Sequence, residues 1–300
     1  MAWRGIHLSR SAYLSVDHRA LKIAFRDAGE EVFHQSIEDL AYLILDTPDI
    51  TLSGNLLASL AEANTLIIGV NSRHLPVWSS LPWTQYHRQG DVLKAQLETS
   101  LPQKKQLWAY IVKTKIDAQA RCLALKKIHG SSVLQNMGLQ VRSGDPDNTE
   151  ARAARFYWQA LFHDREFRRH DDDLPNILLN YGYAILRAAL ARQLCAVGFI
   201  PQLGIHHESL SNAYNLADDL IEPYRPIVDY YAHQVLGKSA SDQEFTTDHR
   251  RAMAQILEHQ LLVGDDVYLA LPAIELTIST LKHALNSKNA DRLIFPKLNP

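Results

Sequence analysis

The sequence predicts an α+β protein of two domains, in which a small N-terminal β-rich domain precedes a larger all-α C-terminal domain. A chain of 300 residues is longer than one compact core usually needs. Short apolar runs with alternating character fill its first part, whereas the later part carries long runs with helical periodicity. We place the β-rich domain at 1–76, a linker at 77–92 and the helical domain at 93–300.

Short strands are predicted in the first domain, because β-branched and aromatic residues recur there between turn-forming residues. Examples are the ranges 13–16, 21–25, 31–35, 42–45 and 65–70. One helix interrupts them, with Ser53 as its N-cap and an apolar face that includes Leu56 and Leu60. Proline, tryptophan, serine and histidine follow without a regular period from 76 to 90, which is typical of a linker.

The rest of the chain carries helical periodicity with recognisable start and stop signals. A long amphipathic helix at 104–127 ends before Gly130, and a helix at 149–163 follows the turn-forming residues 145–148. Gly198 ends a third helix, because glycine readily adopts the left-handed conformation that follows a helix. This third helix spans 176–197. Further helices are predicted at 214–236, 244–263 and 272–287, and the segment 291–300 is expected to be irregular.

The composition is that of an ordinary globular protein, with 46% hydrophobic and 21% charged residues. No apolar run reaches the roughly 18–20 residues that a bilayer span needs, and the first residues lack a signal-peptide core. Cys122 and Cys195 both lie in apolar helical patterns, which predicts buried thiols without a bridge. We therefore expect a cytoplasmic protein. A net charge of −2 gives no overall attraction to nucleic acid, so DNA contacts would need local basic clusters.

The segment from 204 to 226 is the richest in residues that can do chemistry. His206 and His207 follow a glycine, and Asp218, Asp219 and Glu222 then recur at helical spacing. Neighbouring carboxylates repel one another unless a cation or a proton offsets their charge. A metal site explains the pattern, but an exposed acidic helix start beside the positive end of the helix dipole explains it equally well.

Two other segments carry polar residues that apolar packing does not require. Glu150 begins a helix in which small residues alternate with Arg152 and Arg155, although a first-turn acid also favours the helix dipole. Asn180 and Gly182 lie within the apolar helix at 176–197, where a glycine costs about 1 kcal/mol relative to alanine. Close packing and support of a nearby site both remain open as explanations.

The combination of these segments, in this order, resembles the Cas1 family, the CRISPR-associated integrases that insert new spacers. The resemblance rests on Glu-Ala-Arg-Ala-Ala-Arg at 150–155, Asn-Tyr-Gly-Tyr at 180–183, Gly-Ile-His-His at 204–207 and Asp-Leu-Ile-Glu-Pro-Tyr-Arg-Pro at 219–226. The opening Trp-Arg-Gly-Ile-His at 3–7 and the compact length resemble the type II branch of the family. Ala151 departs from the pattern, because many members carry glycine there.

The resemblance implies that Glu150, His207 and Glu222 are the catalytic metal ligands. It makes Asp219 and Asn180 second-shell residues or alternative ligands. Carboxylate oxygens and one imidazole nitrogen suit Mg²⁺ or Mn²⁺, although such a ligand set does not exclude Zn²⁺. The implied reaction is attack by the 3′-hydroxyl of incoming DNA on a phosphodiester of the CRISPR repeat, assisted by the metal.

The resemblance also implies DNA and protein partners. The DNA partners are double-stranded, a spacer precursor and the CRISPR repeat. The candidate DNA-binding residues are Arg152, Arg155, Arg165, Arg168 and Arg169, of which the last three recur at helical spacing. A solvated helix face is the alternative for them, and Lys104, Lys105, Lys113 and Lys115 are weaker candidates. The family further implies a homodimer formed through the N-terminal domain and a small partner subunit of the adaptation complex.

Two other functions use part of the same pattern. A metal-dependent nuclease acting on branched DNA would use the same ligands, with water in place of the 3′-hydroxyl. A non-catalytic scaffold that binds DNA ends is the second alternative, but it has no need of three ligand-type residues.

Overall fold

The computed structural model describes residues 4–27, 31–82, 88–164, 167–169, 173–238 and 244–299. Within these ranges a strand-rich N-terminal part precedes a helical C-terminal part, as predicted. The N-terminal elements are β1 (Arg4–Leu8), β2 (Ala12–Asp17), β3 (Ala20–Phe25), β4 (Val32–Ser36), β5 (Leu40–Leu45), β6 (Ile50–Leu52), α1 (Gly54–Glu62), β7 (Leu66–Val70) and β8 (Pro76–Ser79).

The N-terminal strands form two four-stranded sheets, in the orders β1-β5-β7-β8 and β4-β3-β2-β6. Side chains such as Leu14, Ile23 and Leu43 share one buried cluster with Leu56 and Leu60 of α1. The side chain of Ser53 accepts a hydrogen bond from the backbone N–H of Leu56, which confirms the predicted N-cap of α1.

β5 is buried on both of its faces, which explains its nearly continuous apolar sequence. Because successive side chains of a strand point to opposite faces, Leu43 and Leu45 pack in the N-terminal core. Tyr42 and Ile44 belong to the core of the helical part. The Tyr42 hydroxyl also donates a hydrogen bond of 2.5 Å to Oε1 of Glu258, so β5 is tied to the helical part by both packing and polar contact.

The C-terminal part contains helices arranged around a long one, more than half of whose residues are buried. They are α2 (Gln89–Leu97), α3 (Leu101–Leu125), α4 (Ser131–Leu139), α5 (Thr149–Leu161), α6 (Leu174–Val197), α7 (Asn215–Ile221), α8 (Arg225–Lys238), α9 (Thr247–Ala254) and α10 (Ala270–Ser287). The central helix is α6, and α7, α8, α9 and α10 all contact it. A 3-10 turn at Glu222–Tyr224 separates α7 from α8, so the helix predicted at 214–236 is interrupted where Pro223 lies.

The C-terminal part is not all-α, because it also holds a small antiparallel sheet. Its strands are β9 (Gln260–Val263), β10 (Asp266–Leu269) and β11 (Lys297–Leu298), in the order β10-β9-β11. The predictions of helix through 263 and of an irregular end at 291–300 are therefore wrong at these strands. Gly264, with a φ of +63°, lets the chain reverse in two residues between β9 and β10.

The segment predicted to be a linker is partly regular structure. β8 lies at its start and pairs antiparallel with β7, and α2 begins at Gln89 near its end. Cys122 and Cys195 are free thiols, the first buried and the second partly exposed. Among the described helices, none has the length and apolar character needed to cross a membrane.

Candidate active site

Two of the predicted metal ligands, Glu150 and Glu222, line one cavity of about 740 Å³. Glu150 lies in the first turn of α5, and Asp145 fixes that turn by accepting the backbone N–H groups of Thr149 and Glu150, each at 2.9 Å. Glu222 begins the 3-10 turn between α7 and α8. A larger cavity of about 870 Å³ lies between α3, α4 and the C-terminal segment, and its lining includes none of the predicted ligands.

The ammonium group of Lys115 lies between the two carboxylates. Its Nζ is 2.5 Å from Oε1 of Glu150 and 2.5 Å from Oε2 of Glu222. Lys115 projects from α3 and is only 8% exposed, so this contact is shielded from water. Burial alone would lower the pKa of Lys115, but attraction to Glu222 and Glu150 outweighs it and raises that pKa.

Glu222 has a second cationic partner, because Nε of Arg225 donates to its Oε1 at 2.8 Å. Burial would raise the pKa of Glu222, but the positive charges of Lys115 and Arg225 prevail and lower it to about 2. Glu222 is therefore ionised throughout the physiological pH range. Among the described residues, its Oε2 is buried without a well-directed hydrogen bond, although the Lys115 ammonium lies beside it.

Asp219 organises the loop that carries the two histidines. It is fully buried, and its carboxylate accepts the backbone N–H groups of Ile205, His206 and His207 at 2.5, 3.1 and 3.1 Å. The same carboxylate lies 2.8 Å from Nδ1 of His207. Hydrogen bonding to Asp219 raises the pKa of His207, while partial burial opposes that change and the charge of Glu222 adds to it.

The two histidines have separate surroundings. The ring of His206 stacks on Trp108 of α3, with ring centres 4.0 Å apart and planes 4° from parallel. His207 meets the same indole edge-on at 5.8 Å, and its Nδ1 faces Asp219. Asp219 therefore fixes the orientation of the His207 ring through Nδ1, which leaves Nε2 as the ring nitrogen that Asp219 does not bind.

Among the described residues, no three His, Cys, Asp or Glu side chains lie close enough together, as they stand, to hold a metal ion. The structure brings Glu150 and Glu222 to a shared cationic position, and it places His207 where the charge of Glu222 acts on it. The donor set and the buried Oε2 of Glu222 fit a divalent cation. Such a cation would have to share this position with Lys115 or displace it.

Asn180 lines the same cavity and accepts a hydrogen bond of 2.9 Å from Nη2 of Arg169. The guanidinium of Arg169 also lies over the Trp158 ring at 5.3 Å. A Cβ atom at Gly182 would come within 2.5 Å of Val228, so close helix packing accounts for that glycine. Of the two residues of α6 that the sequence singled out, Asn180 lines the cavity and Gly182 serves helix packing.

The predicted DNA-binding arginines do not all lie on helices. Arg152 and Arg155 are exposed on α5, two and five residues beyond Glu150. Arg168 and Arg169 lie between the end of α5 and the start of α6, so the prediction of helical spacing is wrong for them. α5 ends with Phe162 as its C-cap and α6 begins after its N-cap Asp173, so neither helix includes Arg168 or Arg169. Arg165 lies outside the described residues.

Three residues of the site were not assigned to it from the sequence. Lys115 was grouped with weak DNA-binding candidates, although its spacing from Ile111 and Val112 places it on the buried face of α3. Arg225 lies three residues after Glu222, a spacing that allows a helical ion pair. Asp229 lines the cavity as well, and it accepts hydrogen bonds from the hydroxyls of Tyr157 and Tyr183.

Comparison with known protein families gives a match over most of the chain. The family model for CRISPR associated protein Cas1 matches residues 6–261. A CRISPR-associated endonuclease Cas1 of Neisseria meningitidis serogroup C is 36% identical over 307 residues, covering 100% of this chain and 98% of the relative. A second such endonuclease, from Saccharolobus solfataricus, is 26% identical over 73% of this chain and 70% of its own length.

Solved structures share the fold at lower sequence identity. A Cas1 protein from Thermotoga maritima superposes with a TM-score of 0.74 at 16% identity, over 94% of this chain and 97% of that one. A casposase bound to an integration product gives 0.73 at 20% identity, over 95% and 90%. A chain of a Cas6-RT-Cas1–Cas2 complex gives 0.73 at 18% identity, over 97% of this chain and 36% of that longer one.

Proposed function

Because the chain belongs to the Cas1 family of CRISPR-associated proteins, we propose that it is a metal-dependent DNA integrase/endonuclease that inserts new spacers into a CRISPR array. The 3′-hydroxyl of the incoming DNA attacks a phosphodiester at the border of the repeat. Enzymes accelerate such phosphoryl transfers mainly by positioning the reactants and stabilising charge. The observation that carries the proposal is the convergence of Glu150 and Glu222 on one cationic position inside a cavity.

Glu150, Glu222 and His207 would hold Mg²⁺ or Mn²⁺, because both ions prefer carboxylate oxygens and His207 adds one imidazole nitrogen. When bound, the ion supplies charge that polarises the phosphoryl group and stabilises the leaving oxygen. Arg225 keeps Glu222 ionised through the 2.8 Å hydrogen bond to its Oε1. Asp219 supports the site indirectly, because it orients His207 and the backbone around it.

The surroundings of the cavity suit a DNA backbone. Arg169 and Asn180 line it, so positive charge and amide groups face a phosphate that enters. Arg152 and Arg155 extend this positive charge to the exposed face of α5 beside Glu150. Since the overall charge is −2, this local cluster supplies the attraction for double-stranded DNA, in the form of a spacer precursor and the CRISPR repeat.

The working form of the enzyme is a complex with other subunits. The structural neighbours include a chain of a Cas6-RT-Cas1–Cas2 complex, which supports a small partner subunit for this chain. We infer that two copies pair through the N-terminal sheets and that the partner subunit joins two such dimers. An enzyme that modifies the chromosomal CRISPR array would work in the cytoplasm.

A strand-transfer assay tests the proposed function. The protein is mixed with its partner subunit, Mn²⁺, labelled DNA with a free 3′-hydroxyl and a plasmid that carries the repeat. We expect integration by the unaltered chain and by Glu62→Gln, which changes an exposed acid on α1. Glu150→Gln and Glu222→Gln should abolish integration while retaining DNA binding. A wild-type rate in either variant would remove the substituted residue from the metal site.

A second DNA substrate separates the integrase from its alternatives. Labelled DNA with a 3′-deoxy end cannot supply the attacking hydroxyl, so it should give no joined product. A nuclease that uses water would still cut the repeat plasmid or branched DNA at the same rate with this substrate. A DNA-end-binding scaffold would retain binding and would show neither joining nor cutting with either substrate.

A further inference from the structure

The charges around Lys115 already balance without any added ion. Glu150 and Glu222 contribute two negative charges, and Lys115 and Arg225 contribute two positive ones. All the contacts are short, at 2.5 Å for the two to Lys115 and 2.8 Å for the one to Arg225. Lys115 and Glu222 are also less than a tenth exposed, so water screens their charges weakly.

A divalent cation that binds the same carboxylates would therefore meet an occupied position. It would lie close to the ammonium, and like charges at such separations repel strongly where water is scarce. Arg225 cannot take the place of Lys115, because it contacts the opposite oxygen, Oε1 of Glu222. Metal binding therefore requires the ammonium to leave at least one carboxylate.

The displaced ammonium group of Lys115 can move into the cavity. Lys115 lines the cavity, and a lysine side chain is a flexible stem that can swing a point charge over several ångströms. A phosphodiester bound there would bring a negative charge and accept a hydrogen bond from the ammonium. Without DNA, the displaced ammonium would face Arg169 and Asn180, which carry no negative charge. The other carboxylate of the lining, Asp229, is buried and already accepts the hydroxyl groups of Tyr157 and Tyr183.

We propose that Lys115 is an internal competitor of the metal that becomes a phosphate contact once DNA binds. The proposal rests on the proposed function, since it takes Glu150 and Glu222 as metal ligands. In the free protein, Lys115 holds the two carboxylates together and weakens metal binding. DNA relieves this competition by accepting the ammonium, so metal and DNA each increase the affinity for the other, by the same factor.

The test measures Mn²⁺ binding directly, from the electron paramagnetic resonance signal of free Mn²⁺. Titrations use the unaltered chain, Lys115→Met and Lys115→Gln, each with and without a short DNA duplex that has a 3′ single-stranded overhang. Lys94→Met is the matched control, because Lys94 pairs with Glu98 on an exposed helix surface. Without DNA, both Lys115 variants should bind Mn²⁺ roughly tenfold more tightly than the unaltered chain, a difference of about 1.4 kcal/mol.

The titrations with DNA also test the proposal on the unaltered chain, without any substitution. Addition of the duplex should tighten Mn²⁺ binding to the unaltered chain and to Lys94→Met roughly tenfold, and it should do so much less in the Lys115 variants. The proposal is overturned if DNA leaves the Mn²⁺ affinity of the unaltered chain unchanged, or if folded Lys115→Met or Lys115→Gln binds Mn²⁺ no more tightly. Melting curves identify a variant that does not fold.

Failure of the proposed function would look different. If Glu222→Gln binds Mn²⁺ as tightly as the unaltered chain does, the ion does not use this carboxylate and the ligand assignment itself is wrong. If Glu222→Gln loses Mn²⁺ binding while the Lys115 variants match the unaltered chain, the ligand assignment stands and only the role of Lys115 is wrong.

Discussion

Gly204 lies so close to Asp219 that a Cβ atom at this position would come within 2.9 Å of Oδ2. The same Cβ atom would lie 2.2 Å from the backbone carbonyl oxygen of His207. The loop at 204–207 thus wraps tightly around the Asp219 carboxylate, which accepts three of its backbone N–H groups. A glycine at this position is a requirement for placing His207.

Gly204→Ala should therefore destabilise the protein and disable the site. Neither the backbone carbonyl of His207 nor the buried carboxylate of Asp219 can move without a large energetic cost. We therefore expect the free energy of unfolding to fall by about 1–3 kcal/mol. Strand transfer should fall with it, because His207 is displaced. Gly237→Ala is the control, since a Cβ atom there would have nothing within 4 Å. Denaturant unfolding of both variants measures the difference, and equal stability would contradict the tight loop.

Features that depend on local chemistry were predictable from the sequence. Ser53 caps α1, and Gly198 ends α6 with a φ of +92°, because both effects involve only neighbouring backbone groups. The short apolar run at 260–263 was not predictable as a strand, because such a run fits a buried helix equally well until its partners are known. Those partners are β10 and β11, and β11 lies more than thirty residues further along the chain.

The site was predictable only in part, for the same reason. Glu150, His207 and Glu222 were identified by the order of their motifs, and the structure brings the two glutamates to one cavity. Lys115 was not assigned to them, because its role depends on how α3 packs against α5 and the 3-10 turn. Charge compensation of this kind arises from tertiary packing, and the spacing of charged residues along one helix does not predict how helices pack.

Asp229→Asn should change the way stability depends on pH. Burial raises the pKa of Asp229 to about 7, outweighing the hydrogen bonds from Tyr183 and Tyr157 that favour its ionised form. A raised pKa means that the folded state holds its proton more tightly than the unfolded state does. Stability from this group is therefore fully present below about pH 4 and is lost as the pH rises to about 7.

Asparagine does not titrate, so the variant does not lose this contribution to stability as the pH rises. The free energy of unfolding of Asp229→Asn relative to the unaltered chain should rise between pH 4 and pH 8. The rise should be about 1.4 kcal/mol for each unit of pKa difference between the folded and unfolded states. Urea unfolding across this range measures it, and a difference that stays constant with pH would show that Asp229 is ionised in the folded protein.

DNA binding should depend on salt through the arginines beside Glu150. Each lost phosphate contact is expected to reduce the slope of log affinity against log salt by about 0.9. Arg152→Ala and Arg155→Ala should each show this reduction, and Arg168→Ala should do so if its exposed side chain reaches the same backbone. Arg73→Ala, in the turn after β7, is the control. Unchanged affinity and slope in all three variants would place the DNA on another surface.

The adjacent histidines should have separable roles, because their rings meet different partners. His207 is held by Asp219 through Nδ1, whereas His206 stacks on Trp108. His207→Ala should remove most metal-dependent strand transfer, and elevated Mn²⁺ should rescue it at most in part. His206→Ala loses a ring contact, so it should cost about 1 kcal/mol of stability and leave the metal requirement unchanged. Integration rates against Mn²⁺ concentration, together with melting curves, compare the two variants. A metal requirement that shifts in His206→Ala and not in His207→Ala would reverse the assignment, since only a ligand to the ion should alter the Mn²⁺ concentration at which the enzyme works.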